Sequence, residues 1–392
     1  MKRTRNWSEA PQELLGLIAE CFNRIEDYVR FGAVCLSWQS VIVDQRRRNF
    51  TPKTLPWLML PLQEKDEDGN YNDTSNAFNY SGERHYKLNL PNAFDWCCWG
   101  SPFGWLIIAP GQHQLEICNP LSNVRYPLPP LSTLEDFSQK KYYFRKAILA
   151  FIPSGSPSIL PVKDQLVAVI SFRGHGNLYF ARLGDKAWTS VQIPKSSNDS
   201  DDMLYFNNQF YVVDTEGLVR SFDITSGNPV GIEFALAPGN IHEHGWGDGD
   251  EDLQFYLVEL MGELHMVVKY QYWDSELPES PSSRPFKNWH MYFFRVYRLD
   301  LCTRKWKEVF TLGDYALFVG HNTSFSLLVS DYPEYQNSSI FFTDDLYDWD
   351  LQSGGDMGIF NLETISMQPW NLDDDMVGPL YSHPVLFVPT LC

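Results

Sequence analysis

Between Ser8 and Ile42 the apolar residues recur at helical spacing, whereas beyond Thr51 they fall into short runs cut by Gly, Pro, Asn and Asp. In the first stretch Leu14, Leu15, Ile18 and Phe22 stand at i, i+1, i+4 and i+8, one stripe of a helix. Ser8 is placed as its N-cap and Glu9 suits the first turn. Pro11 is tolerated there because that amide would lack a partner anyway. Asp27 is placed to cap a second helix, on which Tyr28, Phe31, Val34, Cys35, Trp38, Val41 and Ile42 recur. Residues 1–50 therefore read as a small all-α module. So short a module buries little of its own apolar surface, which predicts that a partner completes the stripe.

From 51 to 392 the pattern predicts strands, and the strands repeat. One module comprises a turn, a short apolar strand, a second turn, another strand, and a third strand often opened by Trp. It begins at Gly104, Asp164, Asn208, Gly262 and Ser338, with an eroded copy over 55–95. These copies predict a mainly β fold, a six-bladed β-propeller, in which radial repetition protects the edges of short strands. A two-sheet sandwich is the alternative architecture. The acidic stretches "EKDEDGNYND" (64–73), "NDSDD" (198–202), "GDGDED" (247–252) and "WDSELPESPSSRP" (273–285) are expected to be surface loops.

Charge and composition narrow the function. The net charge of −18 is uneven: residues 1–50 hold 8 Lys/Arg against 6 Asp/Glu, and the rest hold 23 against 43. So acidic a body repels phosphate backbones, which sets nucleic acid aside as the main partner. No run approaches the roughly 18 apolar residues of a membrane helix. The opening "MKRTRNWSEAPQE" lacks the apolar stretch of a signal peptide, and none of the seven cysteines lies in a C-x-x-C spacing. Reduced thiols and a cytoplasmic or nuclear setting are expected.

Motifs for chemistry do not assemble. His242 and His244 would share one face of a strand but lack a spaced third ligand. "GDGDED" resembles a calcium loop without its position-12 Glu spacing. There is no G-x-S-x-G, no P-loop, no G-x-G-x-x-G after a strand and no H-E-x-x-H. Neither a catalytic residue nor a cofactor nor a metal is expected.

Pro11, Leu14, Leu15 and Ile18, followed after an acidic turn by Val34, Cys35 and Trp38, resemble the F-box. Trp7-Ser8 directly ahead and "DYVRFGAVCLSW" as the second block match its plant form. The resemblance implies that these seven residues contact a Skp-type adaptor and, through it, the cullin of an SCF-type ubiquitin ligase. Three positions depart: Ala10 replaces a Leu ahead of the Pro, and Leu36 and Gln39 replace basic residues flanking the Trp. They predict reduced adaptor affinity.

A second resemblance lies at 312–345, in Gly313, Asp314, Ala316, Phe318, Gly320, Asn337, Ile340, Phe342, Thr343 and Asp344. It is similar to the signature of plant F-box proteins with a C-terminal kelch-like propeller. Read from the residues alone, Gly313 and Gly320 are turns, Asp314 a turn cap, and Leu317 and Phe318 core, a stretch that braces neighbouring blades. The resemblance implies a non-catalytic substrate receptor with an F-box at 1–50 and a propeller at 51–392. Its target is a protein, and a protein kinase is one that the family implies, although no residue here carries that specificity. Two alternatives stand beside it. One is a propeller scaffold that no longer engages the adaptor; the other is a hydrolase with convergent polar groups in a deep axial pocket.

Overall fold

The computed structural model describes residues 6–22, 25–47, 54–60, 74–79, 85–90, 98–111, 114–134, 144–152, 166–172, 177–193, 198–225, 228–241, 251–273, 289–343, 357–370 and 383–390. The N-terminal module opens on a 3-10 turn, Trp7–Glu9, followed by α1 (Gln12–Glu20), α2 (Ile25–Gly32) and α3 (Leu36–Arg47). Asn6, rather than Ser8, caps the turn: its Oδ1 accepts from the Ser8 amide at 3.2 Å and the Ser8 hydroxyl at 2.7 Å. The helix expected over Tyr28 to Ile42 is two helices, broken at residues 33–35. A straight helix would hold Tyr28 and Ile42 about 21 Å apart. The break folds them into one core, with Gly32 so near Ile42 that a Cβ would stand 3.2 Å from its Cγ1. Asp27 lies inside α2 and pairs with Arg30 at 3.2 Å.

The strands follow in chain order. The first sheet holds β1 (Trp57–Leu60), β2 (Thr74–Asn79) and β3 (His85–Asn89). The second holds β4 (Cys98–Gly100), β5 (Leu106–Gly111), β6 (Gln114–Asn119) and β7 (Val124–Pro127). The third holds β8 (Phe144–Phe151), β9 (Leu166–Phe172), β10 (Leu178–Arg182) and β11 (Thr189–Val191). The fourth holds β12 (Ser200–Phe206), β13 (Gln209–Asp214), β14 (Val219–Phe222) and β15 (Ile232–Ala235). The fifth holds β16 (Glu251–Leu260), β17 (Glu263–Trp273), β18 (Trp289–Asp300) and β19 (Lys305–Val309). The last holds β20 (Tyr315–Val319), β21 (Phe325–Leu328), β22 (Ser339–Phe342), β23 (Gly358–Asn361) and β24 (Ser366–Pro369). β25 (Val385–Phe387) then returns to pair antiparallel with β1, Leu386 opposite Leu58, and closes the ring.

The expected six-bladed propeller is corrected to five regular four-stranded blades and one sheet of different make. That sheet has five strands in the order β21-β20-β22-β23-β24, and β20 runs parallel to β22. Its β20–β21 hairpin doubles back toward the centre instead of continuing outward. The eroded copy at 55–95 looked short because β25, the innermost strand of its blade, comes from the other end of the chain.

Each blade packs on the next through its own apolar cluster. One cluster joins Trp99, Trp105 and Ile117 of the second blade to Ala147, Leu149 and Ala168 of the third. Another joins Leu58, Leu60 and Leu386 of the first blade to Phe318, Phe325 and Phe341 of the five-stranded sheet, so the ring closes on apolar contact as well as on hydrogen bonds.

The "NDSDD" segment is not a surface loop. Ser200, Asp201 and Asp202 begin β12, and Asp201 and Asp202 are buried. Two cations on β8 make this tolerable: Arg145 pairs with Asp201 at 2.5 Å, and Lys146 with Asp202 at 3.0 Å. Asp202 also accepts from the Met203 amide at 2.8 Å and the Leu257 amide at 3.0 Å. Burial pushes its carboxyl up, while Lys146, Ser324 and the Leu257 amide hold it down.

The turn of the β20–β21 hairpin, Gly320–Ser324, is buried throughout and reaches the innermost strands of the other blades. Lys146 Nζ on β8 donates to the Gly320 carbonyl at 2.7 Å, and the Thr323 amide donates to the Gly100 carbonyl on β4 at 2.9 Å. The Ser324 hydroxyl donates to Asp202 Oδ2 on β12 at 2.7 Å. Ser326, further along, donates to the Glu259 carbonyl on β16 at 2.8 Å. His321 stacks on Trp99 and on His383, just ahead of β25, at centroid separations of 5.3 and 4.3 Å. A segment touching five blades lies on the propeller axis. Gly320 is held there at φ 139°, and a Cβ on it would come within 2.0 Å of Thr343 Oγ1.

Removing one partner of a buried pair strands the other. Asp202→Ala is expected to cost about 3–5 kcal/mol in urea unfolding, and the double change Lys146→Met/Asp202→Leu clearly less. A single-variant cost below about 1 kcal/mol, the range of exposed pairs, would contradict the burial of this pair.

Candidate functional site

The N-terminal module is built inward first. Leu15 and Ala19 of α1, Tyr28 and Phe31 of α2, and Val41 and Ile42 of α3 form its core, with Ile18, Phe22 and Trp38 packed at the margin. A polar tie runs through this core. Gln45 Nε2 donates to the Gly16 carbonyl at 3.0 Å, and the Tyr28 hydroxyl donates to Gln45 Oε1 at 3.2 Å, so all three helices are linked. Phe31 packs against Trp38 with ring centroids 4.3 Å apart, and the Trp38 indole donates to the Trp7 carbonyl at 3.0 Å. Ile25 is buried in the propeller's cluster with Trp57, Met59 and Leu90, which anchors α2 to the first blade.

The seven residues expected to contact the adaptor divide accordingly. Pro11, Leu14 and Val34 point outward, Ile18, Cys35 and Trp38 are half-buried, and Leu15 is wholly inside the core. Leu15 therefore acts on any docking face through the module's shape. Phe31 packs internally.

Other apolar residues stand outside. Leu17 follows Leu14 on the outer face of α1, 62% exposed, and Leu36 and Val43 share a face of α3. Leu36 is the most exposed of the large apolar residues among those described, at 83%. With Gln12, Gln39, Ser40, Val43 and Asp44 it lines a shallow groove of about 390 Å³ between α1 and α3. Helical spacing carried a signal for these positions, Leu14/Leu17 at i, i+3 and Leu36/Val43 at i, i+7. Spacing alone does not say which stripe the rest of the module covers.

The 312–345 signature builds the axial hairpin and its sheet. Ala316, Leu317, Phe318, Ile340, Phe342 and Thr343 are all fully buried, and Gly313 turns at φ 60°. Ser338 organises the end of that sheet: its hydroxyl donates to Glu363 Oε1 at 2.7 Å and accepts from the Leu312 amide at 3.1 Å. A bond from the Thr311 hydroxyl and this one from Ser338 hold the Glu363 carboxyl below its usual range. Asp344, His242 and His244 lie outside the described residues. Among the described residues no three His, Cys, Asp or Glu are grouped to hold a metal.

Comparison with known proteins gives a consistent result. The family described as KIB1-4 beta-propeller matches residues 77–361. The Arabidopsis thaliana F-box protein SKIP23 is 24% identical over 400 residues, covering 92% of this chain and 90% of its own length. An Arabidopsis thaliana F-box/kelch-repeat protein, At1g64840, is 24% identical, covering 87% of this chain and 85% of its own. Among solved structures, TolB from Acinetobacter baumannii aligns over 89% of this chain and 72% of its own at 9% identity, with a TM-score of 0.42, too distant to carry an argument.

The division between core and face is testable by stability. Leu15→Ala is expected to cost about 2–5 kcal/mol of module stability, read by hydrogen exchange of the α1–α3 amides. Leu36→Ala and Val43→Ala should stay within about 0.5 kcal/mol. Equal costs at the three positions would mean that Leu36 and Val43 are packed.

Proposed function

The chain belongs to the KIB1-4 beta-propeller family, and from that premise we propose that it is the substrate-recognition subunit of an SCF-type ubiquitin ligase. The helical module docks a Skp-type adaptor and thereby a cullin. The propeller holds a target protein, raising the local concentration of its lysines near the ubiquitin-carrying enzyme. The subunit itself is non-catalytic, and degradation of the target follows from the assembly. Its setting is the cytoplasm or nucleus; no helix among the described residues is long and apolar enough to cross a membrane.

The observation that carries this reading is the module's inside-out economy. It closes a core of its own and still presents Leu14, Leu17, Val34, Leu36 and Val43 to water, each at least 42% exposed. Helices with such faces are what a helix-in-groove partner completes. F-box relatives spanning nearly the whole chain support the same assignment. Leu36, which replaces a basic residue of the F-box pattern, adds apolar area where a charge would steer, so adaptor affinity rests on apolar contact more than on electrostatics.

The hydrolase alternative needed a deep axial pocket, but at the level of Gly320–Ser324 the axis is filled by the hairpin, whose Gly320 carbonyl and Ser324 hydroxyl are engaged by Lys146 and Asp202. The scaffold alternative differs only in adaptor binding. An acidic propeller suits a basic target surface. A kinase target has no residue behind it and forms no part of the proposal.

Leu14→Ala/Val34→Ala leaves the module's core intact and should weaken adaptor binding at least tenfold by calorimetry or co-purification. Wild-type affinity in the double variant would sink the docking assignment, and no binding by either protein would favour the scaffold.

A further inference from the structure

Four buried polar atoms at the tip of the axial hairpin have no hydrogen-bond partner among the described residues: the Trp99 indole N–H, Asn322 Oδ1, and the hydroxyls of Thr323 and Thr343. None of the four residues is more than 6% exposed. They are neighbours. His321 stacks on Trp99, the Thr323 amide bonds to Gly100 beside it, and Thr343 Oγ1 lies against Gly320. The orientation of the Asn322 amide is fixed, because its Nδ2 donates to the Thr323 carbonyl at 2.8 Å and leaves Oδ1 as the acceptor.

Buried polar atoms in folded proteins are nearly always satisfied, and each one that is not costs the desolvation of that group. Four in one place, on the hairpin that joins the blades, call for a guest. The chemistry of the set narrows what it is. The indole only donates, the amide oxygen only accepts, and the two hydroxyls do either. Among the described residues an anion finds no free cation there, since Lys146 is engaged by Asp202 and the Gly320 carbonyl. A bare cation meets the indole N–H. Hydroxyl groups, donors and acceptors at once, answer the set.

We propose that the tip of the axial hairpin is a binding site for hydroxyl groups, held by Trp99, Asn322, Thr323 and Thr343. Its occupant is either ordered water or the hydroxyls of a small polyol, which present the same chemistry. The site lies on the propeller axis and does not depend on the adaptor-docking assignment.

The test uses the full-length chain. Thr323→Val and Thr343→Val keep shape and remove one hydroxyl each. With a guest bound, each is expected to lower the melting temperature by about 1–2 °C. An unchanged or raised melting temperature in both would overturn the site, because it would mean that the hydroxyls were unsatisfied. Should a valine variant fail to fold, the serine variant at the same position decides. Folded serine protein supports the site, whereas failure of both overturns it. Native mass spectrometry then separates the sources in a protein whose valine variants are destabilised. A retained small mass that is lost in Thr323→Val identifies a polyol, and the bare chain mass identifies water.

Discussion

The carboxylate of Asp202, wholly out of water, accepts from Lys146 of the third blade, from the Leu257 amide of the fifth, and from the Ser324 hydroxyl of the axial hairpin. A charge so placed would be prohibitive alone, and with one partner it would still cost more than it returns. What makes it tolerable is that every bond it receives comes from a different part of the ring. The same Lys146 ammonium reaches on to the Gly320 carbonyl, so the pair works as a bracket holding two blades and the hairpin at one point. Through that bracket the orientation of the blades is set from the centre, where small shifts move the rim most.

The rest of the propeller is consistent with a centre-out construction. Apolar clusters between successive blades supply most of the burial, but an apolar interface alone permits sliding. Directional bonds at the axis remove that freedom. β25 pairing with β1 joins the last strand to the first, and the hairpin then locks the closed ring from inside. In this light the Gly320 position has a structural cause: at φ 139°, against Thr343, only a residue without a Cβ fits.

Much of this was legible in the sequence, and the gaps have physical reasons. The repeated modules beginning at Gly104, Asp164, Asn208 and Gly262 match the outer three strands of four blades, because those strands are bounded by turn residues. The innermost strands escaped, since burial on both faces erases alternation, and in β12 the leading Asp201 and Asp202 imitate a solvated loop. The cations that neutralise them lie more than fifty residues earlier, out of reach of any local pattern. The helical stripe of the N-terminal module was visible, but its break at residues 33–35 was not. Leu15 and Leu14, adjacent in that stripe, therefore ended on opposite sides of the module's surface. Position 338 carried no such signal either, although its φ of 55° and its bond to Glu363 make it the organiser of the five-stranded sheet.

The chain has two separately ordered parts. The module at the N-terminus is anchored to the first blade through Ile25 and keeps its apolar faces outward, while the propeller keeps its own order independently, from the axis. A rigid ring places whatever it binds at a constant distance from the helical module, which is what the proposed receptor role requires. The central claim is that the axial hairpin is the most firmly held part of the ring, and amide hydrogen exchange of Thr323 and Thr343 tests it directly. Both amides are bonded to backbone carbonyls, Gly100 and Val319, and should exchange only through global unfolding, at the rate of the slowest amides of β17. Exchange through a local opening that leaves β17 protected would contradict it and make the hairpin a passenger on a ring that holds itself together.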